Sequence, residues 1–278
     1  MNSLSVNYFD SVILGIVEGI TEFLPVSSTG HLVVAERMLG VPESEAANAY
    51  AIVIQIGAIL AVLRIYGKRL SQVVAGLKGK DEEGKRLLQH IIVAFLPAAV
   101  IGLALHKYIE SKLMGPYPVV AAWIVGGAFI LWWSRKDRTH QAGKPLSALH
   151  WRAALGIGLF QVLALWPGTS RSLVTILGGV TVGLTLEAAV EFSFLLGVVT
   201  LTAAAGYSGL KHFHSIAHDV GAGILFVGTL ASLVSAYIAV KWMIEWISKN
   251  GMAVFGYWRI IAGLVVLYLV HIGWMPPR

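Results

Sequence analysis

The chain contains 278 residues, of which 56% are hydrophobic and 13% are charged, with a net charge of +6 at pH 7 and a mean hydropathy of +0.73. Soluble globular domains carry about 25% charged residues, so this composition excludes them and predicts an integral membrane protein. The absence of cysteine excludes disulfide bonds and thiolate metal ligands. The basic residues lie in loops between apolar stretches, which fits membrane orientation better than a nucleic-acid partner, and no such partner is expected.

The first element is an apolar segment over residues 8–39 that is interrupted by PVSSTG at residues 25–30. Because proline lacks a backbone donor and glycine tolerates positive φ, we predict two half-helices, the second starting near Gly30 or His31. Non-helical backbone at membrane depth must be buried in protein or line a wet cavity, so the pair is predicted to be a re-entrant hairpin facing a cavity. The run has an almost uncharged start, and no cleavable signal is expected.

Uninterrupted apolar stretches make up most of the remaining chain. Six of them, each about 18–22 residues long, can cross a ~30 Å hydrocarbon core as helices. They lie near residues 48–66, 88–106, 117–134, 187–206, 219–240 and 253–271. Between the third and the fourth, residues 151–184 form a second interrupted segment, with WPGTSR at residues 166–171. The predicted fold class is an all-α integral membrane protein with six transmembrane helices and two re-entrant helical hairpins.

The two interrupted segments resemble each other. A shift of 142 positions aligns three residues of the first with three of the second: Pro25 with Pro167, Ser27 with Thr169, and Ser28 with Ser170. The chain is therefore interpreted as a single membrane domain with an internal repeat. Repeat one covers about residues 1–140 and repeat two covers about residues 141–278. Each unit contains three spans, an odd number, so the second copy must be inverted, which is an inverted-topology repeat.

The basic residues orient this arrangement. Loops assigned to the cytoplasm hold fourteen of them: Arg64, Lys68, Arg69, Lys78, Lys80, Lys85, Arg86, Arg135, Lys136, Arg138, Lys144, Arg152, Lys241 and Lys249. Segments assigned to the opposite side hold five: Arg37, Lys107, Lys112, Lys211 and Arg278. This excess satisfies the positive-inside rule. Both termini then lie outside, the two hairpins enter from opposite sides, and their tips meet near the midplane.

Two carboxylates lie within the first apolar run. Glu18 and Glu22 are four residues apart, so they share one helix face with Cβ atoms about 5–6 Å apart. Because an ionised carboxylate at bilayer depth is costly, the pair is a candidate functional site. Such a pair can bind a divalent cation, or split its pKa values so that one group acts as base and the other as acid. The alternative is a pair at a water-exposed helix end.

Hydroxyl groups follow at Ser27, Ser28 and Thr29. A helix N-terminus offers unpaired N–H groups and partial positive charge, so hydroxyls there can bind phosphate oxygens, and one can attack phosphorus. Simple N-capping is the alternative. His31 favours a catalytic role for these hydroxyls over N-capping. It lies three residues after Ser28, and a serine nucleophile needs a neighbouring base.

Arg171 occupies the second interruption, and its permanently charged guanidinium can bind phosphate bidentately. It is predicted to stand opposite the serines of the first hairpin. The alternative is that it only neutralises Glu18 or Glu22. Other polar groups within spans are interpreted as helix-packing partners: Gln55, Gln161, Glu191 and Arg259. Three histidines are weak candidates for a metal site: His212, His214 and His218.

Two stretches, residues 18–31 and 167–172, resemble the signature motifs of the bacterial undecaprenyl-diphosphate phosphatase family, also called the bacitracin-resistance family. The resemblance covers nearly the whole chain, including residues 192–196 and the last span around Arg259. It implies a multi-pass inner-membrane enzyme that removes the terminal phosphate from undecaprenyl diphosphate for peptidoglycan synthesis. It also implies an active site open to the periplasm, Mg²⁺ or Ca²⁺ as cofactor, and a homodimer.

Our mechanistic hypothesis has Ser28 attack the terminal phosphorus while His31 takes its proton. Arg171 and the half-helix amides neutralise the transferring group, and Glu18 and Glu22 bind the metal or orient His31. The rival assignment makes His31 the nucleophile. The predicted substrate-binding residues are Ser27, Thr29, Gly30, Gly168, Thr169, Ser170 and Ser172. The alternative function is an inverted-repeat transporter or lipid flippase for a phosphorylated polyprenyl lipid, because broken helices that meet at the midplane are typical of transporters.

Overall fold

The computed structural model describes residues 6–41, 45–113, 115–135, 143–211 and 220–275. Over these residues the protein forms eleven α helices and no β strand. The helices are α1 Tyr8–Thr21, α2 Ser28–Met38, α3 Glu45–Ile65, α4 Gly67–Leu77, α5 Glu82–Lys112, α6 Pro116–Ser134, α7 Trp151–Val162, α8 Arg171–Thr181, α9 Leu186–Lys211, α10 Ala222–Asn250 and α11 Ala253–His271. The all-α prediction is confirmed for this part of the chain.

The protein is a multi-pass membrane protein by the length and apolarity of its helices. α5, α6, α9, α10 and α11 are each long and apolar enough to cross a membrane. α3 and α4 pass the same criterion only as a pair, which is bent by 83°, so five or six spans are present in the described residues. Each of the six predicted apolar stretches falls on one helix: α3, α5, α6, α9, α10 or α11.

Side-chain caps fix several helix starts. Asn7 accepts hydrogen bonds from the backbone of Phe9 and Asp10, and Asp10 accepts one from the backbone of Asn7, which is a capping box at the start of α1. Asp81 caps α5 through the Gly84 N–H at 2.8 Å. These contacts satisfy backbone donors that a helix start otherwise leaves unpaired.

The first interruption lies between α1 and α2. α2 begins at Ser28, and Ser27 precedes it with φ +74°. The prediction of a start near Gly30 or His31 is therefore wrong by two to three residues, because the reversal of the chain is completed at Ser27 rather than at the glycine. Phe23 and Leu24 of the turn are buried in the largest hydrophobic cluster, so this non-helical backbone is enclosed by protein.

The second interruption has the same local geometry. α7 is followed by a 3₁₀ turn at Leu163–Leu165, and α8 begins after Ser170, whose φ is +73°. α2 and α8 are both 11 residues long. The two serines of positive φ correspond in structure, so the alignment of Ser27 with Thr169 by the proline positions is wrong by one residue. Ser28 corresponds instead to Arg171, the first residue of α8.

Helix packing repeats between the two halves of the chain. α1 packs on α10, and its counterpart α7 packs on α5. α3 packs on α9 and α6 packs on α11, so each of these pairs joins one helix from either half. α1 packs on α2 as α7 packs on α8. Exchanging the halves therefore maps the α1–α10 contact onto α7–α5 and the α1–α2 contact onto α7–α8, and it maps the α3–α9 and α6–α11 contacts onto themselves.

Arg259 of α11 joins both interruptions to α6. Its side chain is fully buried. Nη1 donates to the carbonyls of Pro25 at 3.3 Å and Thr169 at 3.2 Å, and Nη2 donates to the carbonyl of Gly168 at 2.9 Å. Nη2 and Nε also reach the α6 carbonyls, Ala122 at 2.7 Å and Trp123 at 3.4 Å. The guanidinium is thus a clamp on five backbone carbonyls, a larger role than the predicted helix-packing partner.

We predict that Arg259→Met destabilises the protein strongly, because the carbonyls of the two interruptions lose their donor at sites that water does not reach. An unsatisfied buried polar group costs about 1–3 kcal/mol, and for a chain of this size about 3 kcal/mol corresponds to roughly 6–12 °C. Thermal unfolding of purified protein in detergent measures the shift. Arg64→Met, at an exposed arginine, is the control, and equal unfolding temperatures for the two variants would contradict the clamp.

Candidate active site

Glu22 joins the two interruptions electrostatically. It follows the last residue of α1 and is buried. Its Oε2 accepts a hydrogen bond from the Ser28 hydroxyl, and its Oε1 accepts one from Nη2 of Arg171 at 3.4 Å. One carboxylate therefore contacts the first residue of α2 and the first residue of α8. The predicted meeting of Ser28 and Arg171 at one site is realised through Glu22.

Arg171 is held on three sides. Its Nη1 donates to the carbonyl of Ser193 at 2.9 Å, and its Cζ lies 5.1 Å from the centroid of the Phe23 ring. A Cβ built on Gly197 would lie 2.5 Å from Cζ and 2.7 Å from Nη2, so only glycine leaves room for the guanidinium. Nε has no hydrogen-bond partner within the described residues. The guanidinium is thus fixed in place, and its Nε is buried and unpaired within the described residues.

Glu18 lies one helical turn before Glu22 and is fully buried. Neither of its carboxyl oxygens has a hydrogen-bond partner within the described residues. A buried carboxyl without a donor is costly unless a proton or a cation accompanies it. The described part of the chain holds no group of three or more histidine, cysteine or acidic residues that could bind a metal ion. The weak metal candidates His212, His214 and His218 lie outside the described residues.

The side chains of His31 and Ser28 make hydrogen bonds to other groups. Its Nδ1 lies 2.7 Å from the carbonyl oxygen of Ser27, and its Nε2 lies 2.9 Å from the indole nitrogen of Trp258. The Trp123 ring packs on it with a centroid distance of 4.6 Å. The hydroxyl that His31 was predicted to deprotonate donates instead to Glu22 in this structure. Spacing along one turn brought the residues near each other, but Glu22 takes the hydroxyl, and partners from α6 and α11 take the imidazole.

The other residues predicted around Ser28 divide by role. Ser27 is buried and makes no side-chain cap for α2, so the first amides of that helix are left for another acceptor. Thr29 is exposed. Gly30 packs against Trp123, where an added Cβ would lie 2.7 Å from the indole Cε2. The N-capping alternative is thus not realised by the Ser27 side chain.

The residues predicted around Arg171 are mostly engaged within the protein. Gly168 and Thr169 give their carbonyls to the Arg259 clamp. Ser170 caps α8 by accepting from the Leu173 N–H at 3.4 Å. Ser172 donates to the carbonyl of Leu24 at 3.0 Å, which joins α8 to the first interruption. These contacts build the site, and a role in binding substrate stays a prediction for each of the four.

The arrangement combines a hydroxyl, a carboxylate and a guanidinium. The Ser28 hydroxyl donates to a carboxylate, which is the relation of a nucleophile to a general base. The same carboxylate contacts a guanidinium, and two helix N-termini begin at the site. Guanidinium and helix amides both favour a phosphate group. The geometry therefore supports attack on a bound phosphoryl group.

Comparison with known proteins agrees with this chemistry. The family model described as bacitracin resistance protein BacA matches residues 11–265. The chain belongs to the BacA family. Undecaprenyl-diphosphatase 2 of Rhodospirillum rubrum is 46% identical over 257 residues, which cover 92% of this chain and 93% of that protein. Undecaprenyl-diphosphatase 1 of Chromobacterium violaceum is 46% identical over 260 residues, covering 93% and 95%. Undecaprenyl-diphosphatase of Neisseria gonorrhoeae is 41% identical over 267 residues, covering 95% and 96%.

Sequence reasoning missed two contributors to the site of this BacA family member. Gly197 provides the space for Arg171, and Trp258 provides a partner for His31. Neither carries a charge or lies in an interrupted segment, so no local signal marked them. One sequence feature points to Trp258: it directly precedes Arg259, a charged residue within an apolar stretch.

We predict that Gly197→Ala displaces the Arg171 guanidinium and weakens binding of orthovanadate, a phosphate mimic. The dissociation constant should rise about tenfold, which corresponds to a loss of roughly 1.4 kcal/mol of binding free energy. Isothermal titration calorimetry on detergent-solubilised protein measures the dissociation constant. Gly206→Ala is the matched control, because it lies on the same helix with open space around its Cα. Unchanged vanadate affinity in Gly197→Ala would show that the guanidinium position does not matter for anions.

Proposed function

We infer that this chain hydrolyses undecaprenyl diphosphate to undecaprenyl phosphate and inorganic phosphate, a step that recycles the lipid carrier of peptidoglycan synthesis. The observation that carries this function is the Glu22 carboxylate, which contacts both the Ser28 hydroxyl and the Arg171 guanidinium. Membership of the BacA family and relatives that are named undecaprenyl-diphosphatase identify the phosphorylated substrate.

In the proposed reaction, Ser28 Oγ forms a bond to the terminal phosphorus while Glu22 takes its proton. The bond between that phosphorus and the bridging oxygen breaks, and undecaprenyl phosphate leaves. Water then attacks the phosphoserine, releases inorganic phosphate and restores the hydroxyl. Glu22 replaces His31 as the proposed base, because the Ser28 hydroxyl donates to Glu22 and both imidazole nitrogens have other partners.

Arg171 has a complementary role in this proposal. When Glu22 accepts the proton it loses its charge, so its attraction for Arg171 weakens. The guanidinium is then available to the oxygens of the transferring phosphoryl group, where negative charge spreads in the transition state. Predicted binding contacts from the two helix starts supplement it: Ser27, Thr29, Gly30, Gly168, Thr169, Ser170 and Ser172.

Mg²⁺ or Ca²⁺ is proposed as cofactor, with Glu18 as its principal ligand and Glu22 as the second. The fit rests on the two Glu18 oxygens, which are buried and without donors in the described structure. Mg²⁺ is usually held by one or two carboxylates together with substrate phosphates, so a site of few protein ligands suits it. The ion would neutralise part of the diphosphate charge when bound.

The proposed architecture has six transmembrane helices and two re-entrant hairpins in an inverted-topology repeat, over about 1–140 and about 141–278. The equal lengths of α2 and α8 and the matched helix packing of the two halves support it. Following the family resemblance, we place the protein in the bacterial inner membrane with its site open to the periplasm. The excess of basic residues in one set of loops supports the orientation of the helices. A homodimer stays a prediction.

The transporter or flippase alternative is not favoured. A carrier must bind its anion without attacking it, so it does not require a serine hydroxyl paired with a carboxylate base. The relatives named above are diphosphatases.

We predict that Ser28→Ala abolishes phosphate release from undecaprenyl diphosphate and that Glu22→Gln lowers kcat by about 10²–10⁴-fold, the usual contribution of a general base. Phosphate release by purified protein in detergent with Mg²⁺ measures both. Ser248→Ala, at an exposed serine, is expected to match wild type. Trapping the phosphorylated intermediate and mapping it by mass spectrometry distinguishes the nucleophiles: phosphoserine at position 28 supports the proposal, and phosphohistidine at position 31 contradicts it.

Removal of divalent cations by a chelator is expected to stop phosphate release, and Mg²⁺ is expected to restore it. Glu18→Gln should raise the Mg²⁺ concentration for half-maximal activity at least tenfold, because one ligand oxygen and its charge are lost. Glu82→Gln, with a side chain 74% exposed, is the control. If Glu18→Gln lowers kcat but leaves the Mg²⁺ requirement unchanged, Glu18 is not a metal ligand.

A further inference from the structure

The hydrogen bonds of His31 fix its protonation on each ring nitrogen. A backbone carbonyl can only accept, so the contact of Nδ1 with Ser27 O at 2.7 Å requires a proton on Nδ1. An indole N–H can only donate, so the contact of Trp258 Nε1 with Nε2 at 2.9 Å requires an unprotonated Nε2. The imidazole is therefore neutral, and its one basic lone pair is occupied by Trp258.

The rings of His31 and Trp258 lie side by side at hydrogen-bond distance. The planes of the imidazole and the indole differ by only 9°, and their centroids are 6.0 Å apart. In this nearly parallel arrangement the indole nitrogen lies 2.9 Å from Nε2 of the imidazole. Trp123, by contrast, packs on the imidazole at an interplanar angle of 40°. Its indole nitrogen has no hydrogen-bond partner within the described residues.

The two tryptophans also differ in freedom to move. Trp123 is 1% exposed and Trp258 is 53% exposed, so the Trp258 ring can rotate outward without disturbing the core. Its backbone is held, because the next residue is Arg259, whose side chain clamps both interruptions. Rotation of the side chain alone would therefore free the imidazole while the site keeps its shape.

We propose that Trp258 is a positioning residue that latches His31: its indole N–H occupies the free lone pair of Nε2, and the ring must move before that nitrogen can contact substrate. The proposal rests on the proposed function only in placing His31 beside the reacting phosphate. In the resting protein the latch keeps the imidazole from Ser28 and leaves Glu22 as the partner of the hydroxyl. After release, Nε2 becomes an acceptor for water or for a phosphate hydroxyl.

Reaction of His31 with diethyl pyrocarbonate tests the latch without any need for phosphatase activity. The reagent is attacked by an unprotonated imidazole nitrogen with a free lone pair, and mass spectrometry of digested protein gives a rate for each histidine. Trp258→Phe keeps a ring beside the imidazole but removes the donor. We expect His31 in this variant to react about three- to tenfold faster than in wild type, which is the rate change expected when the net free energy of one hydrogen bond is lost.

Two matched variants serve as controls. Trp123→Phe removes the other indole that packs on His31. That indole donates no hydrogen bond to any residue that the structure describes, so the His31 reaction rate should stay within about twofold of wild type. Tyr257→Phe changes an exposed neighbour of Trp258 and should alter neither the reaction rate nor phosphate release. A His31 reaction rate in Trp258→Phe equal to wild type would overturn the latch, as would an equal acceleration in Trp123→Phe.

Two further measurements separate a latch from a residue that only supports the fold. In NMR spectra of wild-type protein with ¹⁵N-labelled histidine, the His31 signals should be those of a protonated Nδ1 and a hydrogen-bonded, unprotonated Nε2. A proton on Nε2 would overturn the proposal.

Trp258→Phe should lower the KM for undecaprenyl diphosphate and leave kcat within about threefold, since the latch competes with substrate. A fall in kcat with a raised KM and unchanged His31 labelling would instead assign Trp258 to structural support. If no variant or wild type releases phosphate, the labelling and the spectra still decide the latch, and only the proposed function fails.

Discussion

The clamp formed by Arg259 answers the main physical difficulty of this fold. Chain interruptions at membrane depth leave carbonyl groups that water cannot reach, and each must find a donor within the protein. Arg259 supplies donors to Pro25, Gly168 and Thr169 from one fully buried guanidinium, and it also binds two carbonyls of α6. Because these acceptors come from both interruptions, the same side chain that satisfies them also sets the distance between them.

The clamp brings Glu22 and Arg171 together in an ion pair that lowers stability but serves the proposed reaction. Glu22 and Arg171 are both buried, and a buried ion pair seldom repays the loss of hydration of its two charges. Glu18 adds a second carboxyl without a donor in the described structure. A fold that needed only stability would place apolar side chains here. The charges make sense where a phosphate group must be bound and attacked.

Much of this could be predicted from the sequence, and the limits have identifiable causes. The apolar stretches predicted α3, α5, α6, α9, α10 and α11 but not the short helix α4. The PVSSTG and WPGTSR sequences predicted both interruptions, because proline and glycine act on the local backbone. The position of α2 was wrong by two to three residues, since a serine took a positive φ that glycine usually provides. The predicted pairing of Ser28 with His31 is absent for a different reason. The two indoles that contact the imidazole lie on α6 and α11, far along the chain, and spacing within α2 carries no information about them.

The two interruptions share one backbone design and differ in the chemistry placed on it. Ser27 and Ser170 have nearly the same φ, and each begins a helix of 11 residues. At the first helical position one copy carries Ser28 and the other carries Arg171, so corresponding backbone sites present a hydroxyl and a guanidinium to the same carboxylate.

The acidic pair is present in only one half of the chain. The correspondence of Ser27 with Ser170 places Gln161 and Leu165 where the first half has Glu18 and Glu22. Gln161 is a structural residue, since its side chain donates to the carbonyl of Ala94 at 3.4 Å and accepts from Thr200 at 3.3 Å. Two symmetric copies with a carboxylate pair each would repel one another across a dry interface, and two copies with an arginine each would do the same. In the proposed reaction, divergence at these few positions lets one half supply the nucleophile and base, and the other half supply the positive charge that a phosphoryl group requires.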